Sequence, residues 1–328
     1  MKIVQLENHV SNFDNLIDAA FWSGFGDFVF YDRTPQDQVL ARAAGADVLL
    51  INKTKLGEAE FAALPGLKYV GVLATGYNVV DCEAAKRHGV VVTNVPAYST
   101  ESVAQLTFAH LLNLMRNVET HAQSDWSSMQ DFTCCLTPQY EINGMTIGLI
   151  GFGAIGRAVA KIADAFGMTV LVYTRTPEKV DVPYAKAVEL EYLLNHSNVV
   201  SLHCPQTAQT TRIINAATIA QMKDGVVIVN TARGALIDSD AFIDAIENGK
   251  IGAAGLDVVE NEFGLYYYDH KSDILKNREL AMLRSFPNVT VSHHMAFYTK
   301  NYVETVVKDS LMSCKLYMEG AKNPWEVA

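Results

Sequence analysis

The chain has 328 residues, 49% hydrophobic and 19% charged, with a formal net charge of -10. That is enough apolar material for two cores of ordinary domain size, and the balance is not that of a disordered or fibrous chain. An acidic chain with no run of Lys and Arg lacks both the counterion-displacing face of a nucleic-acid binder and the polybasic face drawn to anionic lipid.

Met1–Val10 passes directly into a strand-like run, without the apolar core and cleavage site of a signal peptide. No apolar stretch is long enough to span a bilayer. The five cysteines are Cys82, Cys134, Cys135, Cys204 and Cys314. Their odd number, the adjacent pair and the lack of a CxxC spacing suit reduced thiols in a cytoplasmic protein better than a disulfide framework or a zinc site. No metal is expected.

Short β-branched runs predict strands at Lys2–Leu6, Asp27–Phe30, Val48–Ile51, Tyr69–Val72 and Val90–Thr93. Helical patterns such as Gln36–Ala44 and Asp81–His88 separate them. This alternation predicts βαβ units and a parallel sheet with helices on both faces. Past Pro96 the pattern changes. Val103, Leu106, His110, Leu111 and Leu114 recur at helical spacing from about Glu101, with Ser99 and Thr100 available as caps. This helix opens a second domain.

The next strands are predicted at Thr146–Ile150, Thr169–Tyr173, Val199–His203, Val226–Asn230, Ala253–Val258 and Val289–Ser292. Six strands so arranged suit a doubly wound dinucleotide-binding sheet. A last helix near Asn301–Met318 returns the chain to the first domain. The expected architecture is α/β, with two doubly wound parallel-sheet domains. Residues 1–98 and 295–328 form a discontinuous substrate domain, and residues 99–294 form a Rossmann dinucleotide-binding domain.

Gly151, Gly153 and Gly156 form a GxGxxG pattern between an apolar strand and a helix opening at Ala154 and Ile155. In that context the glycines provide a tight turn, close backbone approach to a pyrophosphate, and close helix–strand packing. The helix N-terminus offers N–H groups to the anion. The following strand ends in Tyr173-Thr174-Arg175-Thr176. No carboxylate stands where a ribose-binding acid is expected, about 20 residues on. Arg175 can instead pair with a 2′-phosphate, with Thr174 and Thr176 as hydroxyl donors, which favours NADP(H) over NAD(H). The bland alternative has Arg175 stacked on adenine or facing solvent, with NAD as the cofactor.

Two further strings carry most of the remaining information: Leu202–Asn215, LHCPQTAQTTRIIN, and Met222–Glu262, MKDGVVIVNTARGALIDSDAFIDAIENGKIGAAGLDVVENE. With the glycine loop, they resemble the D-isomer-specific 2-hydroxyacid dehydrogenase family over nearly the whole chain. The chemistry asks for a cation to hold a carboxylate and polarise a ketone, a proton donor for the alkoxide, and a group that keeps the donor charged. Arg233, at the end of a strand, has the planar fork for the first task. His294, after the last strand, can give and take a proton near neutral pH. A carboxylate at Glu262 can orient the imidazole.

The resemblance gives Arg233, Glu262 and His294 these same roles. It places Cys204, Pro205, Thr231, Ala232 and Asp257 along the cofactor, with Asp257 either at the nicotinamide or supporting the site. It also implies that the N–H groups of Thr75 and Gly76 bind the substrate carboxylate, with Lys53 at the same mouth, and that the first domain is flavodoxin-like. A lone Arg is most often a surface cation and a lone His a bonded core residue. The ordered motif outweighs that reading for Arg233 and His294. Glu260 and Asp257 compete with Glu262, and His293 competes with His294. The family often has Pro at 293. His203 reads as structural and His110 as packing.

The first half, Ala74–Asp81 and Asn94–Gln105, resembles the hydroxypyruvate reductase branch. Phe263–Asp273 and Ser285–Thr299 resemble the D-lactate dehydrogenase branch. Where the first branch commonly has Trp after the catalytic His, this chain has Met295, Ala296, Phe297 and Tyr298. Phe297 and Tyr298 would form an apolar wall for a methyl or larger aliphatic group. One methylene changes selectivity by only ~1–3 kcal/mol, so the sequence leaves the substrate open. The aromatic run Tyr266–Tyr268 can instead pack at a surface. The expected function is reduction of a small 2-oxo acid by NAD(P)H with domain closure over a cleft. A dinucleotide-sensing corepressor or scaffold is the alternative on the same fold. The helix from Glu101 resembles the family's dimer-forming region, which implies a homodimer.

Overall fold

The computed structural model describes residues 1–11, 25–123, 138–262, 265 and 277–328. Cys134, Cys135 and the run Tyr266–Tyr268 lie outside the described residues, as does most of the Phe263–Asp273 segment. The chain divides into two compact units, Met1–Ser99 with Tyr298–Ala328, and Thr100–Phe297.

In the first unit the strands are β1 (Lys2–Gln5), β2 (Asp27–Phe30), β3 (Val48–Ile51), β4 (Tyr69–Val72) and β5 (Val91–Thr93). They form an all-parallel sheet in the order β2-β1-β3-β4-β5, the flavodoxin-like order. Every residue of β3 and β4 is buried, as a parallel sheet covered on both faces requires. Helices α1 (Asn8–Ser11), α2 (Val39–Ala43), α3 (Glu58–Ala63) and α4 (Cys82–Arg87) connect the strands. The returning C-terminal segment is joined to the sheet by hydrogen bonds. Val92 N–H donates to Ala328 O at 2.7 Å, and Val327 N–H donates to Val92 O at 2.8 Å. The backbone edge of β5 is thereby covered.

Two turns at the carboxyl edge of this sheet carry expected site residues. After β3, the Glu7 carboxylate accepts the N–H groups of Asn52, Lys53 and Thr54 at 2.7–3.1 Å. After β4, Thr75 Oγ1 donates to Val95 O at 3.1 Å and Asn94 Nδ2 donates to Thr75 O at 2.7 Å.

In the second unit, α5 (Thr100–Arg116) and α6 (Val118–Ala122) precede β6 (Thr146–Ile150), α7 (Ala154–Ala165), β7 (Thr169–Tyr173) and β8 (Ala185–Ala187). There follow α8 (Leu190–His196), β9 (Val199–Leu202), α9 (Ala216–Gln221), β10 (Val226–Asn230), α10 (Ser239–Glu247), β11 (Ile251–Leu256), α11 (Arg278–Ser285) and β12 (Val289–Val291). The final helix, α12 (Lys300–Met318), belongs to the first unit. The seven strands are parallel, in the order β12-β11-β10-β9-β6-β7-β8. From the other edge this is the dinucleotide-binding order with β12 added at the far side.

The strand β8 is absent from the sequence reading. Its three residues, Ala-Lys-Ala, carry no β-branched side chain and none is fully buried. Only pairing with Val170–Val172 makes them a strand. Two apolar clusters fill the faces of this sheet. One centres on α8, α10 and α11, and the other on α5 and α7. The unit runs on to Phe297 because Met295 and Ala296 are tied to Asp257, as described below.

Candidate active site

The turn between β6 and α7 requires glycine at two positions. Gly151 has φ +107°, and a Cβ there would lie 2.5 Å from His203 O. At Gly156 a Cβ would run into Gly151 O. Over Gly153, by contrast, no described atom lies within 4 Å of such a Cβ. No side chain caps the start of α7 at Gly153, so its first N–H groups, at Ala154 and Ile155, remain available to an anion. The cradle fits a dinucleotide pyrophosphate.

At the end of β7, Arg175 is exposed, with Thr174 and Thr176 half-buried on either side. Thr176 N–H points back to Thr174 Oγ1 at 3.4 Å. Cys204 and Pro205 follow β9, the neighbour of β6. Burial pushes the Cys204 thiol up to about 11, against the opposing pull of Arg175. This thiol is therefore held as a neutral side chain rather than a nucleophile. His203 bonds Ser201 Oγ through Nε2 at 2.8 Å, and desolvation lowers it to about 3. Its backbone forms the floor against which Gly151 turns.

The carboxyl ends of β10, β11 and β12, three adjacent strands, carry the expected catalytic residues. After β10, Asn230 shapes the turn. Its Oδ1 accepts Ala232 N–H at 3.0 Å and its Nδ2 donates to Arg233 O at 2.9 Å. Thr231 is buried, Ala232 half-buried, and Arg233 exposed. At Gly234 a Cβ would collide with Val259 O, so glycine there lets the turns after β10 and β11 pack backbone to backbone.

After β12, His294 takes a left-handed conformation with φ 52°. Its N–H donates to Asp257 O at 2.7 Å. Nδ1 lies 2.6 Å from Glu262 Oε1, with side-chain exposures of 17% and 22%. The other Glu262 oxygen accepts Val259 N–H at 3.3 Å. The carboxylate is thus anchored to backbone before it meets the ring. A bond at Nδ1 turns Nε2 away, leaving that nitrogen to address a reacting group. The Phe297 ring stands edge-on to the His294 ring with centroids 6.2 Å apart.

The competing carboxylates are engaged elsewhere. Glu260 accepts from Arg212 at 3.0 Å. Asp257 is 1% exposed and accepts from Ser292 Oγ (2.6 Å), Met295 N–H (2.9 Å) and Ala296 N–H (2.9 Å). Of the two roles open to Asp257, this geometry fits support of the His294 turn. His293 is exposed.

Lys53, Thr75, Gly76 and Tyr298 belong to the first unit. Lys53, Gly76 and Tyr298 are half-buried and Thr75 is exposed. The Tyr298 ring lies 5.9 Å from that of Tyr302. Sequence reasoning missed Asn230, Ser292 and Thr107, and read His110 only as packing. Both ring nitrogens of His110 are hydrogen-bonded. Among the described residues, no cluster of three or more His, Cys, Asp or Glu could hold a metal ion. No described helix is long and apolar enough to cross a membrane.

Residues 108–296 match the family described as D-isomer specific 2-hydroxyacid dehydrogenase, NAD binding domain. A hydroxypyruvate reductase of Blautia hydrogenotrophica is 42% identical over 271 residues, covering 80% of this chain and 84% of the relative. The chain belongs to the D-isomer-specific 2-hydroxyacid dehydrogenase family. A D-lactate dehydrogenase of Escherichia coli is 36% identical over 263 residues, covering 80% of this chain and 79% of that one. The solved pyruvate reductase of Chlamydomonas reinhardtii superposes with a TM-score of 0.88 at 30% identity, covering 99% of this chain and 98% of that one. This dehydrogenase is an oxidoreductase that uses a nicotinamide dinucleotide to interconvert 2-hydroxy and 2-oxo acids.

Proposed function

We propose that this dehydrogenase works chiefly as an NADPH-preferring reductase of small 2-oxo acids of the pyruvate and hydroxypyruvate class. The 2.6 Å bond between Glu262 and His294 Nδ1, in the turns after β11 and β12, with Arg233 in the turn after β10 on the other side of β11, carries this reading. The Arg233 guanidinium holds the substrate carboxylate and polarises the ketone oxygen. His294 delivers the Nε2 proton to that oxygen as the carbonyl carbon is reduced, and takes it back in the reverse direction. Glu262 keeps the ring oriented and compensates its charge. A bound nicotinamide supplies the hydride. The Thr75–Gly76 turn keeps the carboxylate-binding role that the family resemblance gives it, with Lys53 beside that turn. Phe297 and Tyr298 favour an aliphatic substituent on the substrate.

Preference for the phosphorylated cofactor rests on the end of β7, where Arg175 is exposed between two threonines and no carboxylate stands. A carboxylate there would repel a 2′-phosphate, whereas a guanidinium pairs with one. The free thiols of Cys82, Cys204 and Cys314 suit a reducing compartment such as the cytoplasm. The family resemblance of α5 supports a homodimer, which sedimentation would test directly.

The decisive experiment measures initial rates with pyruvate, hydroxypyruvate, glyoxylate and a branched 2-oxo acid, each with NADH and with NADPH. We expect a D-hydroxy acid product, the highest kcat/KM on one of the first two acids, and faster turnover with NADPH. Equal or better turnover with NADH overturns the cofactor assignment. Preference for the branched acid overturns the substrate assignment.

A further inference from the structure

One face of α5 is hydrogen-bonded to two turns that carry catalytic residues. Thr107 and His110 are three residues apart and share that face. Thr107 Oγ1 donates to Val103 O at 2.9 Å, which uses its only proton. Thr231 Oγ1, 3.0 Å away, must therefore donate to Thr107 Oγ1. Thr231 stands two residues before Arg233.

His110 makes the corresponding connection to the other turn. Ser292 Oγ donates to Asp257 Oδ1 at 2.6 Å, so its single proton is committed. The contact of 2.9 Å between His110 Nε2 and Ser292 Oγ then requires Nε2 to carry a proton. Burial lowers His110 from its ordinary value, against the pull of Asp257. In the neutral ring Nδ1 is an acceptor, and Thr290 Oγ1 donates to it at 2.8 Å. The tautomer is thus set by its neighbours. The Asp257 carboxylate at the end of this chain of bonds holds the N–H groups of Met295 and Ala296, and its backbone carbonyl holds that of His294. Room for the ring comes from β11, where a Cβ at Gly255 would lie 2.7 Å from His110 Cβ.

We propose that His110 is a positioning residue for catalysis: through Ser292 and Asp257 it holds the left-handed His294 turn so that the imidazole meets the substrate. Both of its ring nitrogens are bonded to hydroxyls, so it acts through His294 rather than on the substrate, and the proposal rests on the reading of His294 as proton donor. A residue that only filled space in α5 would not need two directed bonds to β12. An unbonded buried imidazole costs free energy, and here both nitrogens are spent on Thr290 of β12 and Ser292 just after it, immediately ahead of His294.

The test compares His110→Gln, His110→Leu and Ser292→Ala with the unaltered enzyme, using kcat, KM for the 2-oxo acid, nucleotide Kd by fluorescence titration, and Tm. Glutamine can place an N–H near the position of Nε2, while leucine fills the volume without a donor. We expect kcat to fall about tenfold in His110→Leu and in Ser292→Ala, the change carried by about one lost buried hydrogen bond. Nucleotide Kd should stay within about twofold, and His110→Gln should recover most of kcat. The double variant His110→Leu/Ser292→Ala should be little worse than either alone, because both break one chain. Loss of Tm with unchanged kcat in His110→Leu would make His110 a packing residue and overturn the proposal. His110→Gln no better than leucine at equal Tm would also overturn it. A His294→Ala control separates the two readings: if it is inactive while His110→Leu is fully active, only the positioning role fails. If His294→Ala is fully active, the proton-donor reading fails and the positioning role with it.

Discussion

Glu262 Oε1 and His294 Nδ1 are 2.6 Å apart, and the same carboxylate is tied by its second oxygen to Val259 N–H. The anion is fixed to the backbone of its own turn, and the imidazole is fixed to the anion. Only Nε2 is then left for the proposed proton transfer. Such a pair is preorganised, so the proposed proton transfer would need little rearrangement.

Replacing the donor should remove the step and leave the nucleotide site intact. In His294→Ala we expect kcat to fall by about 10²–10⁴-fold, the range general acid–base catalysis contributes. Nucleotide Kd should be unchanged, because the glycine turn lies at the other strands. Retained turnover would remove His294 from the reaction.

Glu262→Gln keeps the shape and loses the charge. It should lower kcat by about 10–100-fold, less than loss of the donor itself, since the imidazole remains. Combined with His294→Ala it should add little, because a positioning carboxylate has nothing left to position. Additive losses in the double variant would assign Glu262 a separate task.

Arg175→Ala should raise the KM for NADPH by about tenfold to a hundredfold, as expected for one or two charge-assisted hydrogen bonds, and change that for NADH little. The ratio of kcat/KM for the two cofactors is the measurement. An unchanged ratio would place Arg175 outside the 2′-phosphate site.

Gly151→Ala forces a side chain into φ +107° and against His203 O. Such strain costs about 1–3 kcal/mol. We expect a lower Tm and weakened binding of both nucleotides alike. This distinguishes a damaged pyrophosphate turn from a changed cofactor preference.

Stability should also fall on the acid side. His203 is lowered from 6.5 to about 3 by desolvation, so between those values the unfolded chain binds a proton that the folded chain excludes. With more protons bound in the unfolded state, stability rises with pH across this window and is lost as pH drops below about 6.5. A Tm series from pH about 7.5 down to about 4.5 should be flatter in His203→Asn than in the unaltered protein. Identical slopes would show that other groups dominate the acid limb.

Much of this architecture is legible in the sequence because its signals are local. Strands β2, β3, β4, β6, β7 and β10 coincide with runs of β-branched and apolar residues. The GxGxxG turn, with helix and strand on either side, needs no distant contact to be recognised. Arg233 and His294 stand at strand ends, which one chain position suffices to reveal. The strand β8 escaped because Ala-Lys-Ala has no intrinsic preference for extension.

What the sequence by itself determined is the pair of parallel sheets, the nucleotide turn and the family, since each depends on local residue patterns and on their order along the chain. Only the tertiary structure decided among the three nearby carboxylates. Asp257 faces inward to cap the His294 turn, Glu260 meets Arg212, and Glu262 meets His294. That choice depends on how adjacent strand ends meet across a sheet. The same holds for His110, whose partners Thr290 and Ser292 are 180 and 182 residues away in the chain. A period of helical packing reports that a side chain is buried. Which hydrogen-bond partner satisfies it is set by the neighbouring strand, and no local pattern encodes that neighbour.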